Sequence, residues 1–395
     1  MNRRHFILSA AAAASVAPLT RAADPARKWR VAVIGNTGRG DYGHSLDSMW
    51  LKMPEVEIVG VADANPKGLA AAQKELSLTT GFAEYKVMLT EVKPDLVAIC
   101  PSHMGDRREM ALAAAASGAK GIYMEKPFCH TLADCDDVMA ACEKNKVKLA
   151  LAHRNRYNPG VVAAEKLVKE GAIGRLLEVR GRGKEDTRGG ITDMWVLGSH
   201  VLNLCVYFAG KPVACSSVIL QDGRAVTPAD VTPGKDDVGP LAGNAVHARF
   251  DTESGVPIYF DSIQNAGDRT VGFGLQLIGT KGLIDLRMDA TPIAHLVPGS
   301  PFHPVKEPRP WIPISSAGAG VPEPMTDIRL DVMSHVTGAR DLIAAIEENR
   351  QPLCSAADGR ITVEMITAVL ASHTRDGARI TFPLDSPQNP LSTWK

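Results

Sequence analysis

Between Trp29 and Ala152 the chain alternates short β-branched runs with Ala-rich segments of helical period, and this alternation limits the possible folds most. "WRVAVIG", "VEIVGVAD", "PDLVAICP", "GIYMEKP" and "KLALAHR" read as buried strands, apolar without a polar face. Helices are expected between them: through "HSLDSMWLKM", over "NPKGLAAAQKEL" with Asn65 as cap and Pro66 in its first turn, and over 106–117. Strand and helix in alternation predict a parallel sheet covered by helices on both faces. Residues 28–152 are therefore expected to be an α/β domain of the Rossmann type.

After His153 the pattern changes. "NPGVVAAEKLVKEGAIG" predicts a helix, "RLLEVRGRGKE" a long alternating strand, and 192–208 another helix. "CSSVILQD", "AVHARFD", "VPIYFDSI", "FGLQLIG" and "GLIDLRM" then succeed one another without helices, the pattern of a large, mostly antiparallel open sheet. Residues 297–324, rich in Pro, Gly and Ser, read as a long loop, before helices over 326–348 and 356–375 and a strand in "ARITFPL". Residues 153–385 are expected to form a second α/β domain.

"VAVIGNTGRG" places glycines between a buried strand and the segment that follows. A dinucleotide-binding turn wants glycines at its first, third and sixth positions, which here are Gly35, Thr37 and Gly40, with Gly38 extra. Gly35 allows the tight turn, Gly40 close packing, and Gly38 a close backbone approach in place of Thr37. Gly35, Asn36, Thr37, Gly38, Arg39 and Gly40 are the candidate pyrophosphate cradle, with amides at a helix start facing the anion. Asp63 ends the second strand, where a carboxylate accepts from ribose hydroxyls and repels a 2′-phosphate, favouring NAD; the alternative is a cap for the next helix. Pro101 and Ser102, Glu125 and Lys126, and Arg154 follow the other parallel strands and complete the cofactor set. At that edge Lys126 can bond both a nicotinamide ribose and a substrate hydroxyl, and can stabilise a developing alkoxide.

The order of these segments, followed by "HRNRYNP", "GAIGRLLEVRG", "IGTKGLIDL" and "AIEENRQPLCSAADGRITVEMITAVLAS", resembles the Gfo/Idh/MocA oxidoreductases over residues 29–385. The resemblance implies sugars, polyols or their derivatives as substrates, NAD as cofactor, and a homo-oligomer (dimer or tetramer) built on the open sheet. It implies that Lys126 is the catalytic lysine and that His200, in "GSHVLNL", is the site histidine. Helical spacing places Asp193, Val196, His200 and Asn203 on one stripe, and a near-neutral histidine can take the hydroxyl proton as hydride leaves carbon. The aspartates that the family carries beside this histidine fall on Val196 and Asn203, so Asp193 becomes their candidate substitute. Arg154, Arg156 and Tyr157 match a cleft-lining segment in which Tyr157 would donate to a sugar hydroxyl, or else pack the start of a helix. Lys184, Glu185 and Arg188 form either a solvated loop or a substrate loop.

Residues 1–22 carry Arg3-Arg4, an apolar stretch from Phe6 to Leu19 and Thr20-Arg21-Ala22, the pattern of a twin-arginine signal. The stretch is too short for a membrane span, so a periplasmic or secreted mature protein is expected. Export of a folded protein lets NAD travel inside its site, which favours a redox-balanced cycle. Two reactions fit: hydride exchange on sugar carbons, or NAD-dependent glycoside hydrolysis through oxidation, elimination and re-reduction. A non-catalytic sugar-binding protein is the third reading. Lysine plus arginine and aspartate plus glutamate each number 44, so the net charge is zero and no long-range field recruits nucleic acid or an anionic membrane. Seven cysteines without close pairing predict core thiols, with neither a disulfide framework nor a metal site.

Overall fold

A computed structural model describes residues 27–267 and 273–395; the signal expected over residues 1–22 lies outside them. Six strands, β1 (Trp29–Ile34), β2 (Val56–Ala62), β3 (Gly81–Phe82), β4 (Leu96–Ile99), β5 (Gly121–Met124) and β6 (Lys148–Leu151), form one sheet in the order β3-β2-β1-β4-β5-β6. Every pairing in it is parallel. The order reverses between β1 and β4, which opens a crevice at the carboxyl ends of the strands. α1 (Pro66–Glu75), α2 (Tyr85–Val92), α3 (Arg107–Ala116) and α4 (Leu132–Asn145) make the crossovers. Asn65 caps α1 as expected, its side chain accepting from the Lys67 and Gly68 amides.

The segment after β1 departs from expectation. No α-helix follows the glycine turn; turns lead into a 3-10 helix over Ser48–Lys52. Gly38, Gly40, Asp41, Gly43 and Ser45 all take positive φ, which a right-handed helix cannot contain. At Gly43 (φ +59) the turn runs so close to β4 that an added Cβ would meet the Cys100 carbonyl oxygen at 2.4 Å.

α5 (Pro159–Lys169) leads into β7 (Leu176–Arg182), followed by α6 (Ile191–Val196) and α7 (Gly198–Ala209). The single helix expected over 192–208 is thus two, broken at Leu197 (φ −119, ψ −42). Gly198 opens α7 hard against Phe260, whose ring an added Cβ would meet at 2.6 Å, so sheet packing fixes where the second helix begins. Next come β8 (Pro212–Gln221), β9 (Arg224–Ala225), a small ribbon of β10 (Thr232–Pro233) and β11 (Pro240–Leu241), β12 (Ala245–Thr252), β13 (Ile258–Ile263), β14 (Gly274–Gly279) and β15 (Gly282–Arg287). β16 (Ala294–Pro298), β17 (Ile312–Ser315) and β18 (Gly318–Ala319) extend this sheet through the stretch read as loop, and β19 (Ile380–Thr381) closes its far edge. The eleven-stranded sheet is antiparallel except where β7 meets β13.

The C-terminal helix expected over 326–348 also divides, into α8 (Ile328–Met333) and α9 (Val336–Glu347), at His335 with φ 64. α9 lies on the outer face of the parallel sheet, where Ala339 and Leu342 share a core with Val33, Ala98 and Tyr123. α10 (Ala356–His373) packs on the other face in the core that continues into the large sheet. Its Ser355–Asp358 capping box fixes the entry, and the Leu151 amide donates to the Cys354 carbonyl at 3.0 Å. All seven cysteines are buried and free, as the sequence predicts. No helix among the described residues is long and apolar enough to cross a membrane.

Gly43→Ala should lower unfolding free energy by about 1–3 kcal/mol, the range for a strained backbone position. The midpoint of urea denaturation reads this directly; an unchanged midpoint would mean that the turn tolerates a Cβ against β4.

Candidate active site at the edge of the parallel sheet

The carboxyl ends of β1, β2, β4, β5 and β6 bring Gly35, Asp63, Pro101, Lys126 and His153 to one edge. Asp63 is buried, and its carboxylate accepts from the Thr37 hydroxyl (2.6 Å), the Thr37 amide (3.1 and 3.2 Å) and the Asn65 amide (2.8 Å). Thr37 thus takes the loop's middle position because its hydroxyl reaches that carboxylate. The expected row of amides at a helix start is absent. The Gly38 amide donates to Asp41 Oδ1 at 2.8 Å, while Asn36 and Asp41 exchange backbone bonds at 3.1 and 3.0 Å. Arg39 is half-exposed and pairs with Asp106. Ser102 donates its amide to the Gly40 carbonyl at 3.0 Å, which ties the loops after β1 and β4 together.

NAD fits the adenosine end of this edge. An open cavity lies between Gly35, Asn36, Asp63, Ala64, Tyr85 and Met110, with the Asp63 strand end in its wall. The Tyr42 ring lies over Gly35, filling the space a Cβ would need, and its buried hydroxyl lies near the Asp63 carboxylate. Burial and then Asp63 push that hydroxyl far above the ordinary tyrosine range, so it stays a neutral donor. Tyr42 was not visible as a site residue in the sequence; the one signal is an aromatic inside a glycine-rich turn.

Lys126 is almost wholly buried, and its Nζ donates to the Val196 carbonyl oxygen at 2.9 Å. That carbonyl belongs to the last residue of α6, next to the break at Leu197. Beside it Glu125 is fully buried, accepting from the Lys126 amide at 3.0 Å and lying 2.5 Å from His44 Nδ1. Burial pushes the Glu125 carboxyl up, but Lys126, the His44 hydrogen bond and Arg107 outweigh it and hold the group ionised. Burial pushes the Lys126 ammonium down, and Glu125 opposes the shift. Arg107, also fully buried, donates to the carbonyls of Pro101 (3.0 Å), Ser102 (2.6 Å), Lys126 (3.1 Å) and Pro127, lashing the β4 and β5 loops together.

His200 joins this cluster; Asp193 and Tyr157 do not. His200 Nδ1 lies 3.4 Å from His153 Nδ1, with the rings edge to face. Asp193 sits on the far side of the helix break, where its Oδ2 accepts from the Ser262 hydroxyl (2.6 Å) and the Glu185 amide (3.0 Å). Asn203 turns toward Arg156 and Thr362. The Tyr157 hydroxyl is buried against the Leu151 and Cys354 carbonyls at 3.1 and 3.2 Å, so it packs the helix start instead of facing a sugar. Arg154 forms a two-bond pair with Asp289 at 3.0 and 2.8 Å, close enough to Lys126 and His200 to lower both. In the charged run, Glu185 is buried and accepts from Arg182 and the Ile263 amide, which makes it a structural anchor.

Three buried histidines surround the cluster, two of them unnoticed in the sequence. His335 Nδ1 meets the Tyr123 hydroxyl at 3.1 Å. Burial holds His153 and His335 down to about 3, and burial and then Lys126 hold His200 well below its ordinary value. An unfolded chain binds protons on these rings below pH ~6.5 while the folded one does not. Stability is therefore complete above that value and falls as pH drops toward about 3, by ~1.4 kcal/mol per pH unit for each ring. Urea unfolding followed from neutral pH downward should show this slope. His335→Asn, which tolerates the left-handed backbone, should make it shallower; an unchanged slope would mean that His335 is protonated in the folded protein.

Residues 29–153 match the Gfo/Idh/MocA family model, described as "Oxidoreductase family, NAD-binding Rossmann fold". Levoglucosan dehydrogenase of Pseudarthrobacter phenanthrenivorans is 25% identical over 355 residues, 80% of this chain and 87% of that one. D-apiose dehydrogenase of Paraburkholderia graminis is 30% identical over 151 residues, 38% of each chain. A solved levoglucosan dehydrogenase in complex with NADH and L-sorbose superposes with a TM-score of 0.71 at 19% identity, covering 91% of this chain and all of that one. An aldose-aldose oxidoreductase from Caulobacter crescentus, complexed with glycerol, gives 0.68 at 19% identity over 90% of this chain and 100% of that one. The superpositions extend the shared fold across both sheets. Over residues 29–153 the chain is similar to the NAD-binding Rossmann unit of the Gfo/Idh/MocA oxidoreductase family.

Proposed function

We propose that this protein oxidises and reduces a sugar or polyol carbon, exchanging hydride with an NAD that it holds tightly. The observation that carries this reading is the burial of Lys126 and of the His153–His200 pair after neighbouring strands at the carboxyl edge of a parallel sheet, beside a glycine turn and a carboxylate-ended second strand. NAD supplies the hydride acceptor or donor. Gly35, Tyr42 and Asp63 would hold its adenosine end, with Glu125 and Lys126 toward its reactive end. Lys126 is the cation placed to stabilise oxygen as it loses its proton, in a buried setting where that interaction is strong. Arg107 holds its backbone, and the Val196 carbonyl aims its Nζ.

The substrate class rests on the similarity to levoglucosan dehydrogenase and to the aldose-aldose enzyme. Residues 28–152 and 153–385 act in this reading as cofactor and substrate domains, the second also carrying the contacts of a homo-oligomer. Its twin-arginine leader exports the folded protein with NAD already bound.

Protein purified from the export compartment should carry NAD, and levoglucosan, D-xylose, D-apiose or inositol should reduce it, read as absorbance of the reduced nicotinamide. Lys126→Ala should keep NAD binding and slow this reduction by roughly 10²–10⁴-fold. A Lys126→Ala variant with full turnover, or a chain that binds no dinucleotide on titration, overturns the proposal. Light scattering of the same sample should give a particle larger than one chain.

A further inference from the structure

Among the described residues His200 has no carboxylate partner. Asp193 faces Ser262 and Glu185 across the helix break, and Asn203 is taken by Arg156. Its polar neighbour is another ring, His153, at 3.4 Å between the two Nδ1 atoms. Both rings are almost wholly buried, and the cation of Lys126 pushes both toward the neutral form. Two neutral rings facing each other through Nδ1 must share a single hydrogen there, because two lone pairs or two N–H groups would repel.

The other nitrogen of His153 decides which ring carries it. His153 Nε2 is buried and has no hydrogen-bond partner among the described residues. An N–H at that point would be an orphaned donor, which proteins avoid more strictly than an unpaired acceptor. Nε2 of His153 therefore bears the lone pair, its Nδ1 bears the hydrogen, and His200 Nδ1 accepts. The hydrogen of His200 is then on its Nε2.

We propose that His153 is a positioning residue that locks His200 in the Nε2–H tautomer, so that His200 meets the substrate oxygen as a neutral hydrogen-bond donor. This rests on the reading of Lys126 and His200 as the reacting site and changes the part expected of the histidine. A ring whose free nitrogen already carries hydrogen cannot take the hydroxyl proton. It can hold and polarise a carbonyl or alkoxide oxygen, as neutral imidazoles do where a cationic one would be too acidic. The hydroxyl proton then goes to Lys126 in its neutral amine form, toward which burial pushes the group, and the ammonium so formed is the cation beside the new alkoxide.

The test is the nitrogen spectrum of the full-length protein labelled with 15N-histidine, in which protonated and lone-pair ring nitrogens resonate far apart. His200→Gln and His153→Gln assign the two rings. His200 in the otherwise unaltered protein should show hydrogen on Nε2 and a lone pair on Nδ1; the reverse pattern overturns the proposal. His153→Asn keeps a donor near the Nδ1 position and should preserve the pattern. His153→Asp offers only an acceptor and should reverse it; should that variant fail to fold, the unaltered protein and the Asn variant still decide. Once a reducing sugar is known, His153→Phe should lower kcat by roughly 10–100-fold with little change in KM, while His153→Asn should retain most of the rate. The tautomer is read without turnover, so a chain that oxidises no sugar would sink the functional reading and leave this measurement standing.

Discussion

The hydrogen bond from Lys126 Nζ to the Val196 carbonyl joins the parallel sheet to a helix that leads into the large sheet. A carbonyl inside a continuous helix would already be accepting from the amide one turn ahead. Leu197 breaks that ladder, and Gly198 restarts it against Phe260, so the Val196 oxygen is left for a cation. Sheet packing fixes the break, the break frees the acceptor, and the acceptor aims the lysine. The same break sends Asp193 away from His200, which leaves the histidine to a neutral ring. One discontinuity therefore sets both the direction of the lysine and the chemical character of the histidine.

Charges buried this deeply persist only when each is met by another group. Glu125 is met by His44 and the Lys126 amide, Arg107 by four carbonyls, and Lys126 by Val196. Arg107 does more than balance charge. Its donors reach the loops after both β4 and β5, so the two strand ends that border the crevice move as one piece. A guanidinium suits this task because its planar fork of donors can serve several fixed carbonyls at once.

The parallel sheet was legible because buried strands of the first unit are continuous apolar runs and their connecting helices keep a helical period. Asn65, Asp63 and Lys126 could be placed because each ends or follows such a strand. The absence of a helix after the glycine turn was not legible: an apolar period is present in "HSLDSMWLKM", but positive φ values between Gly38 and Ser45 cancel it, and at Gly43 the turn lies against the Cys100 carbonyl after β4. The break at Leu197 was hidden for the same reason, since its cause is Phe260, a residue 63 positions along the chain. Tyr157 and Asp193 were misplaced because a residue type and a helical stripe say nothing about which carbonyl or hydroxyl lies opposite. His153 and His335 carry no local signal; their partners, His200 and Tyr123, are distant in sequence.

The bond between the Thr37 hydroxyl and Asp63 has a consequence for how the site meets its cofactor. A ribose hydroxyl arriving at that carboxylate would replace one O–H donor with another of the same kind. Such a swap is nearly neutral in free energy, because hydrogen bonds exchange without a net change in their number. On that reading Asp63 would work as a filter on what the ribose carries and would add little to how tightly it is held. The tight retention proposed for the dinucleotide would have to come from the surfaces at its two ends, the adenine-side cavity and the buried cluster around Lys126. The carboxylate, for its part, is never exposed bare in the interior, whether or not a guest is present.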